Sequence, residues 1–488
     1  MKPKQSVLVA VVCIAALMLT LGVPTARAQA TGGVAMVGAS NHTIVVKPNG
    51  HDDTANLQAA FNTCTSHGWT CTIQLVKGTY YTSQITSFGF QGSFVGAGQG
   101  QTTLQALPNL PSPNPAYNTP TTFFWSHPPS SSNPWPVLFT FLNGTMHVAG
   151  LTITDPYNLP VPGGYYGSLG LWYALYGTIW FTGTHSSASV DHVSIQGSPA
   201  VSPLPTNGVY TGIAYLGETE VPGDSNSADF LFQTGTFSVT DSSFSQVAYG
   251  TDTETLLGSS VTICSNTYDN VYVAHFVGDL SNSKLVFCSN HVTDVVGGAG
   301  FYAIAGNLKS SLAPANLEVL NNQIGAGDGA NGVGFSDFLT PSSINAVVAG
   351  NTIQTDSSCG CYDPTNPYYA AIFSYDARSL LVAGNQLAGG VSPGIYVAGG
   401  PAVVVGNQVP GTYVGVWVDY ASNVSVAGNV VQYSSAVGIA VTDGSSNNLI
   451  AWNLVTGSGL FDLYWDQTGT GNVWSHNICQ TSSPSGLC

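Results

Sequence analysis

Nine asparagines in the second half of the chain recur at near-regular intervals, each closing a short apolar run: Asn266, Asn290, Asn322, Asn351, Asn385, Asn407, Asn429, Asn453 and Asn477. Their spacings are 24, 32, 29, 34, 22, 22, 24 and 24 residues. Around four of them the text is almost constant: Val348-Ala-Gly-Asn351, Val382-Ala-Gly-Asn385, Val404-Val-Gly-Asn407 and Val426-Ala-Gly-Asn429. A second element recurs between them, as Gly394-Ile-Tyr-Val397, Gly415-Val-Trp-Val418 and Gly438-Ile-Ala-Val441. Such a period marks a solenoid whose coils each give short strands to parallel sheets. Leucine-rich repeats are excluded, because they need regularly placed leucines and a helix per repeat. Asparagines stacked one coil apart at an inward bend can each donate to and accept from a neighbour. An unpaired buried amide costs about 1–3 kcal/mol, so such a stack has to be continuous. The longer intervals then carry loops. The fold class is all-β, a right-handed parallel β-helix.

The first part of the chain fits the same architecture with a closed end. Asp52-Asp53-Thr54 supplies helix N-cap chemistry, and Leu57, Ala60, Phe61 and Cys64 follow at helical spacing. A short amphipathic helix there would cap the solenoid core. Residues 1–30 read as an export signal, with Lys2 and Lys4 ahead of an apolar run from Val7 to Leu21 and small residues flanking Arg27 and Gln29. No linker divides residues 31–488, which predicts a single β-helix domain that is secreted, extracellular or periplasmic.

Charge narrows the partners. Loss of Lys2, Lys4 and Arg27 with the signal leaves five basic residues against 24 acidic ones, a formal charge of −19 in place of −16. That balance excludes a nucleic-acid footprint, and no later apolar run is long enough to cross a membrane. Eight cysteines remain beyond Cys13, an even number suited to an oxidising compartment. Local pairing joins Cys64 to Cys71, Cys264 to Cys288 and Cys479 to Cys488. Cys359 and Cys361 are left over, and a bond across one intervening residue would be strained. A zinc site is a poor alternative, since no second Cys-x-x-Cys or His pair accompanies them.

Asn49-Gly-His-Asp-Asp-Thr54, Leu57-Gln-Ala-Ala60 and Lys77-Gly-Thr-Tyr80 together resemble the entry segment of the pectin-lyase-like superfamily, and Val190-Asp-His-Val-Ser-Ile195 is similar to a strand common there. The resemblance runs from about residue 43 to the end. It implies the β-helix fold and leaves the reaction open among lyases, polygalacturonases, epimerases, tailspikes and non-catalytic surface proteins. The polygalacturonase strings Asn-Thr-Asp, Gly-His-Gly and Arg-Ile-Lys are missing, as is the Arg-x-Pro-x-x-Arg of pectate lyases, so no catalytic residue is carried over.

Candidate sites come from strand parity instead. Counting from the asparagines places Phe373, Tyr396, Trp417, Ala440 and Tyr464 in one outward column, with successive coils about 4.8 Å apart. Exposed aromatics in a column make platforms for sugar rings, although outward rings also stabilise a sheet by pairing across strands. Nearer the N-terminus, Glu218 and Glu220 on one strand and Asp252 and Glu254 on the apparent next coil are expected to converge. Residues i and i+2 share a face roughly 6.6–6.8 Å apart. That separation suits the acid and base of an inverting glycosidase, which sit about 6.5–9.5 Å apart. A Ca²⁺ site is the competing use, since that ion takes oxygen ligands, and no other cofactor is implied. His275 on the following coil is a candidate acid or base. Solvated carboxylates are the plain alternative, but three of the four glutamates of the chain fall in this cluster. Two aromatic insertions, 108–136 and 157–181, have the composition of loops that wall a binding site.

These features point to a polysaccharide as partner. One hypothesis is a polysaccharide-active enzyme, a hydrolase rather than a lyase because cations are scarce. The other is a non-catalytic glycan- or surface-binding protein that uses the aromatic column without any acid–base pair.

Overall fold

A computed structural model describes residues 41–107, 137–155, 175–197, 209–219, 230–304, 313–327, 331–336, 344–355, 369–390 and 393–488. The signal, Glu220, Cys359 and Cys361, the insertion 108–136, and the insertion 157–181 apart from Leu175–Phe181 lie outside these residues.

Each regular coil contributes three short strands. One coil runs through Ile395–Ala398, Ala402–Val405 and Gln408–Pro410, and the next begins with Val414–Asp419. Equivalent strands pair in parallel from coil to coil, with Tyr396 beside Trp417, Val404 beside Val426 and Gln408 beside Val430. Repetition builds three sheets, called here first, second and third in the order the coil visits them. Alternate residues point inward, so Ile395, Val397, Val404 and Val409 are buried. The chain therefore has the right-handed parallel β-helix fold.

The asparagines occupy the bend from the second sheet to the third. From Asn266 to Asn453, each Nδ2 donates to the Oδ1 of the next asparagine at 2.9–3.1 Å. Each backbone N–H donates to the same oxygen, and Nδ2 also donates to a carbonyl one coil back, as from Asn407 to Val382 at 3.0 Å. No amide in the run is left unsatisfied, which is why a buried polar column is tolerated.

The recurring Gly-Ile-Ala-Val text has an equally local cause. Gly438 is the second residue of the first-sheet strand Val437–Thr442, and a Cβ there would stand 2.2 Å from Val455 Cγ1. Only glycine fits against that core valine.

Core composition changes along the stack. In the earlier coils it is filled by rings, including Phe94, Phe139 and Phe141, with Tyr215 stacked on Phe237 at 4.9 Å. Later coils use valine, isoleucine and leucine. The helix Thr54–His67 closes the aromatic end, burying Leu57, Ala60, Phe61 and Cys64. Asp53 makes no side-chain cap bond to it. Its carboxylate instead accepts the N–H groups of Asn49 and Tyr81, while Asp52 accepts from Thr54. Disulfides join Cys64 to Cys71, Cys264 to Cys288 and Cys479 to Cys488. Among the described residues, no helix is long and apolar enough to cross a membrane.

Candidate functional site

The outer face of the first sheet carries one continuous register column. It passes through Trp180, Ala214, Asp252, Phe276, Tyr302, Gly334, Phe373, Tyr396, Trp417, Ala440 and Tyr464. The spacing argument thus places Phe373, Tyr396, Trp417 and Tyr464 in a single line. It does not place them all in solvent. Phe373 is 1% exposed and Tyr396 is 4% exposed, whereas Trp417 and Tyr464 are half-buried. Phe373 and Tyr396 stack in parallel at 5.6 Å, and Trp417 meets Tyr396 edge-on at 5.4 Å. The rings pack first against one another, and of these four only Trp417 and Tyr464 are left partly open.

Asp252 and Glu254 stand outward on Val247–Leu257, two residues apart on the same face. Burial pushes the Asp252 carboxyl well above the usual carboxylate range, and the neighbouring Glu254 adds to the shift. Its Oδ1 is buried without a hydrogen-bond partner. Burial, helped by the charge of Asp279, pushes Glu254 up to about 8. Glu254 pairs with Gly278 on the next strand, where the missing side chain leaves it room.

The expected company of this pair is different. The residues beside Asp252 and Glu254 on the preceding coil are Ala214 and Leu216, so Glu218 lies two positions past the match and pairs antiparallel with Leu231. Inward Ile213 and Tyr215 have to align with inward Thr251 and Thr253, and that fixes the register. In the described register Leu216, and not Glu218, stands beside Glu254, and the acidic neighbour of the pair is Asp279 from the following strand. Glu220 falls outside the described residues.

His275 is corrected too, because it faces the other way. It pairs with Thr251 and lies fully buried in the core beside Phe287 and Phe301, with ring centroids 5.7 Å from each. Its Nδ1 is 2.8 Å from Thr251 Oγ1 and its Nε2 is 3.5 Å from Thr253 Oγ1. Burial drives its pKa down to about 3, so it is a neutral core residue without access to the outer face.

Sequence reasoning missed a second polar group beside the column. Asp419 follows Trp417 by two residues, so it shares that face. It accepts from Tyr396 Oη at 2.8 Å and from Thr442 Oγ1 at 2.6 Å, and Trp417 Nε1 donates to Thr442 at 2.8 Å. Asp443 is raised above the ordinary carboxylate range, first by its hydrogen bond to Asp419, then by burial and nearby charge. Counting two residues on from each column aromatic would have found Asp419 and Asp466. Among the described residues, no three His, Cys, Asp or Glu side chains are arranged to hold a metal ion.

A family model described as "Periplasmic copper-binding protein (NosD)" matches residues 363–479, about a quarter of the chain. Among solved structures, the bacteriophage Phi29 gene product 12 N-terminal fragment superposes with a TM-score of 0.61 at 12% identity, covering 89% of this chain and 70% of that one. The likeness shows the fold, the parallel β-helix described above. PfbA, a surface adhesin of Streptococcus pneumoniae, is similar at 12% identity with a TM-score of 0.48, over 86% of this chain and 90% of that one. The Yersinia enterocolitica family 28 exopolygalacturonase is similar at 11% identity with a TM-score of 0.46, over 92% and 79% respectively. No curated protein matches in sequence.

Among the described residues, the strands of the first sheet carry no Lys or Arg. Lys284 is on the second sheet, where its Nζ meets Glu318 Oε1 at 2.8 Å. Outward acids and aromatic rings, with no Lys or Arg among the described residues of these strands, define the chemistry this face offers.

Proposed function

We propose that this chain is an exported protein that binds a polysaccharide along the outer face of the first sheet and hydrolyses it at Asp252 and Glu254. The observation that carries the reading is that Asp252 stands in the aromatic column with Glu254 two residues on along the same strand face, and that burial raises both carboxyls above the usual carboxylate range. A coupled acidic pair loses its protons in two steps and passes through a state holding one acid and one base. In that state Glu254, the more accessible of the two, protonates the leaving glycosidic oxygen, and Asp252 activates water. Their i, i+2 placement gives roughly 6.6–6.8 Å, within the inverting range of about 6.5–9.5 Å. Hydrolysis is favoured over elimination, which needs a cation or strong base at the substrate's acidic carbon, and the described first-sheet strands supply neither Lys nor Arg. Trp417 and Tyr464 serve as platforms farther along the chain of sugars. The three disulfides agree with an oxidising, extracytoplasmic setting.

A screen of neutral and acidic plant and microbial glycans tests this. Reducing-end release reports hydrolysis, and absorbance of unsaturated products reports elimination. Asp252→Asn and Glu254→Gln are each expected to abolish reducing-end release. Unsaturated products would replace hydrolysis by lyase chemistry. The near-complete burial of Asp252 favours a second reading, glycan binding without turnover, and retention of glycans with no product would select it. A melting temperature lowered by a chelator in wild type, but not in Asp252→Asn, would assign the pair to Ca²⁺ instead.

A further inference from the structure

A corner far from the acidic pair carries an aromatic ledge. Each residue just before a ladder asparagine turns the chain with positive φ, and from Gly350 to Gly428 that residue is glycine. In the next two coils it is Trp452, with φ 61°, and His476, with φ 56°. A bulky aromatic is disfavoured in this left-handed conformation, which glycine adopts freely. An outlier of that kind points toward function. Here the strained residue presents its ring to solvent. Trp452 is 52% exposed and stacks on His476 with centroids 4.2 Å apart and planes 9° apart.

The two rings lie one coil apart, so they stack along the solenoid axis. The opposite face of Trp452 then looks toward the coil of Gly428. A Cβ at Gly428 would meet no atom within 4 Å, and the same holds at Gly406 and Gly384. The corner is thus a trough of bare backbone about 14 Å long, three coil steps, ending on an aromatic wall. Trp69 at the other end of the molecule provides a contrast, since it stacks with both His42 and His67.

We propose that this ledge binds a pyranose ring of a neutral glycan, stacked on the open face of Trp452 above Gly428. The chemistry of the trough selects that occupant. A sugar ring is about as thick as one coil step, and its apolar C–H face suits an indole. Gln386 and Gln408, exposed two residues beyond Gly384 and Gly406, offer amide donors and acceptors to hydroxyl groups. The outer columns flanking the trough, from Gln386 to Ile478 and from Ala383 to Ser475, contain no Asp, Glu, Lys or Arg. An anionic polymer would find no cation here, on a chain whose formal charge is −16. The inference rests on a polysaccharide being the partner but not on any cleavage at Asp252 and Glu254.

Affinity electrophoresis of the full chain through gels containing galactomannan, xyloglucan, β-glucan or polygalacturonate tests it, with reducing-end release measured in parallel. Trp452→Gly restores the residue used by the preceding coils, so folding is preserved, and melting temperature verifies this. Retention on at least one neutral glycan is expected to weaken roughly threefold to tenfold in Trp452→Gly, with Trp452→Phe in between and reducing-end release from short soluble oligosaccharides unchanged. Equal retention of wild type and Trp452→Gly overturns the ledge while leaving the groove reading intact. Retention of wild type by polygalacturonate alone, or by none of the four, also overturns it, whatever turnover shows. A change of oligomeric state in Trp452→Gly with unchanged retention assigns the ledge to self-association and overturns it as well. Loss of turnover in Asp252→Asn with retention intact separates the two sites.

Discussion

Asn407 Nδ2 donates to Asn429 Oδ1 at 2.9 Å, and the backbone N–H of Asn407 donates to that same oxygen at 2.9 Å. One side-chain oxygen thus ties the next coil to both the side chain and the main chain of its neighbour. Asn407→Leu would remove the Nδ2 donor to Asn429 and Val382 on one side and leave the Nδ2 and backbone N–H of Asn385 without their acceptor on the other. Loss of stability of about 1–3 kcal/mol is expected for the buried groups left unpaired. Chemical denaturation measures it, and a midpoint equal to wild type would refute a cooperative ladder.

How far the sequence could be read follows from where this ladder runs. Beyond Asn266 every coil carries an inward asparagine as a ruler, and strand parity counted from it put Phe373, Tyr396, Trp417 and Tyr464 in the right column. Before Asn266 the ruler is lost. Ser242 stands at the next bend and donates its N–H to Asn266, so nothing marked the register that places Leu216, not Glu218, beside Glu254. The inward direction of His275 was legible, since Val271, Val273 and Val277 share its parity. The burial of Phe373 and Tyr396 was not, because what covers an outward ring is tertiary and leaves no trace in local spacing.

Two groups on opposite faces of neighbouring strands set opposite pH dependences. Glu254 is raised to about 8, so between its ordinary value and about 8 the unfolded chain ionises while the native one stays protonated. Stability from this group is full at acidic pH and falls as pH rises through that window. Asp252 acts in the same direction. Glu254→Gln is therefore expected to flatten the decline of the melting temperature between about pH 4.5 and 8. A decline of unchanged steepness would show that Glu254 ionises normally.

His275 works the other way. Its pKa falls to about 3 in the native state, so the unfolded chain takes up a proton below its ordinary value near 6.5 and the native chain does not. Stability is lost as pH falls from about 6.5 toward 3. His275→Phe keeps a ring between Phe287 and Phe301 and removes that loss. Denaturation midpoints at pH 4 and pH 7 are expected to lie closer together in the variant, with glycan turnover unaffected because the side chain never reaches the outer face. Loss of turnover in a stable His275→Phe protein would return the residue to the active site.

Two glycines separate steric from conformational demand. Alanine at 438 would put its Cβ 2.2 Å from Val455 Cγ1 and 2.5 Å from the Asp462 carbonyl oxygen, so the coil has to shift, at about 1–3 kcal/mol. Alanine at 428 meets no atom within 4 Å but sits at φ 64°, a left-handed conformation costing about 1–2 kcal/mol. Asparagine tolerates that conformation better. Gly428→Asn should therefore recover part of the loss, whereas Gly438→Asn should be worse than Gly438→Ala. Melting temperatures of the four variants check the ranking, and rescue by asparagine at 438 would contradict the packing argument.

The last expectation concerns the open end of the aromatic column. Trp417 is pinned through its indole N–H to Thr442, which donates to Asp419, and Asp419 also accepts from Tyr396. That chain of bonds fixes the edge of the ring, which is the arrangement a stacking platform requires, since little rotamer freedom remains to be lost on binding. Tyr464 lies two coils on in the same register, beyond Ala440, so a sugar chain crossing the sheet meets two rings separated by about 9.6 Å. Trp417→Ala with Tyr464→Ala is expected to weaken glycan retention roughly tenfold or more, the product of two modest losses. Both rings are only half-buried, so the fold should survive with a melting temperature a few degrees lower at most. Thr442→Val supplies the finer test, because it releases the indole without removing it. Retention intermediate between wild type and the double variant would tie the platform to the Asp419 network, whereas wild-type retention in both would leave the column as a device for pairing strands alone.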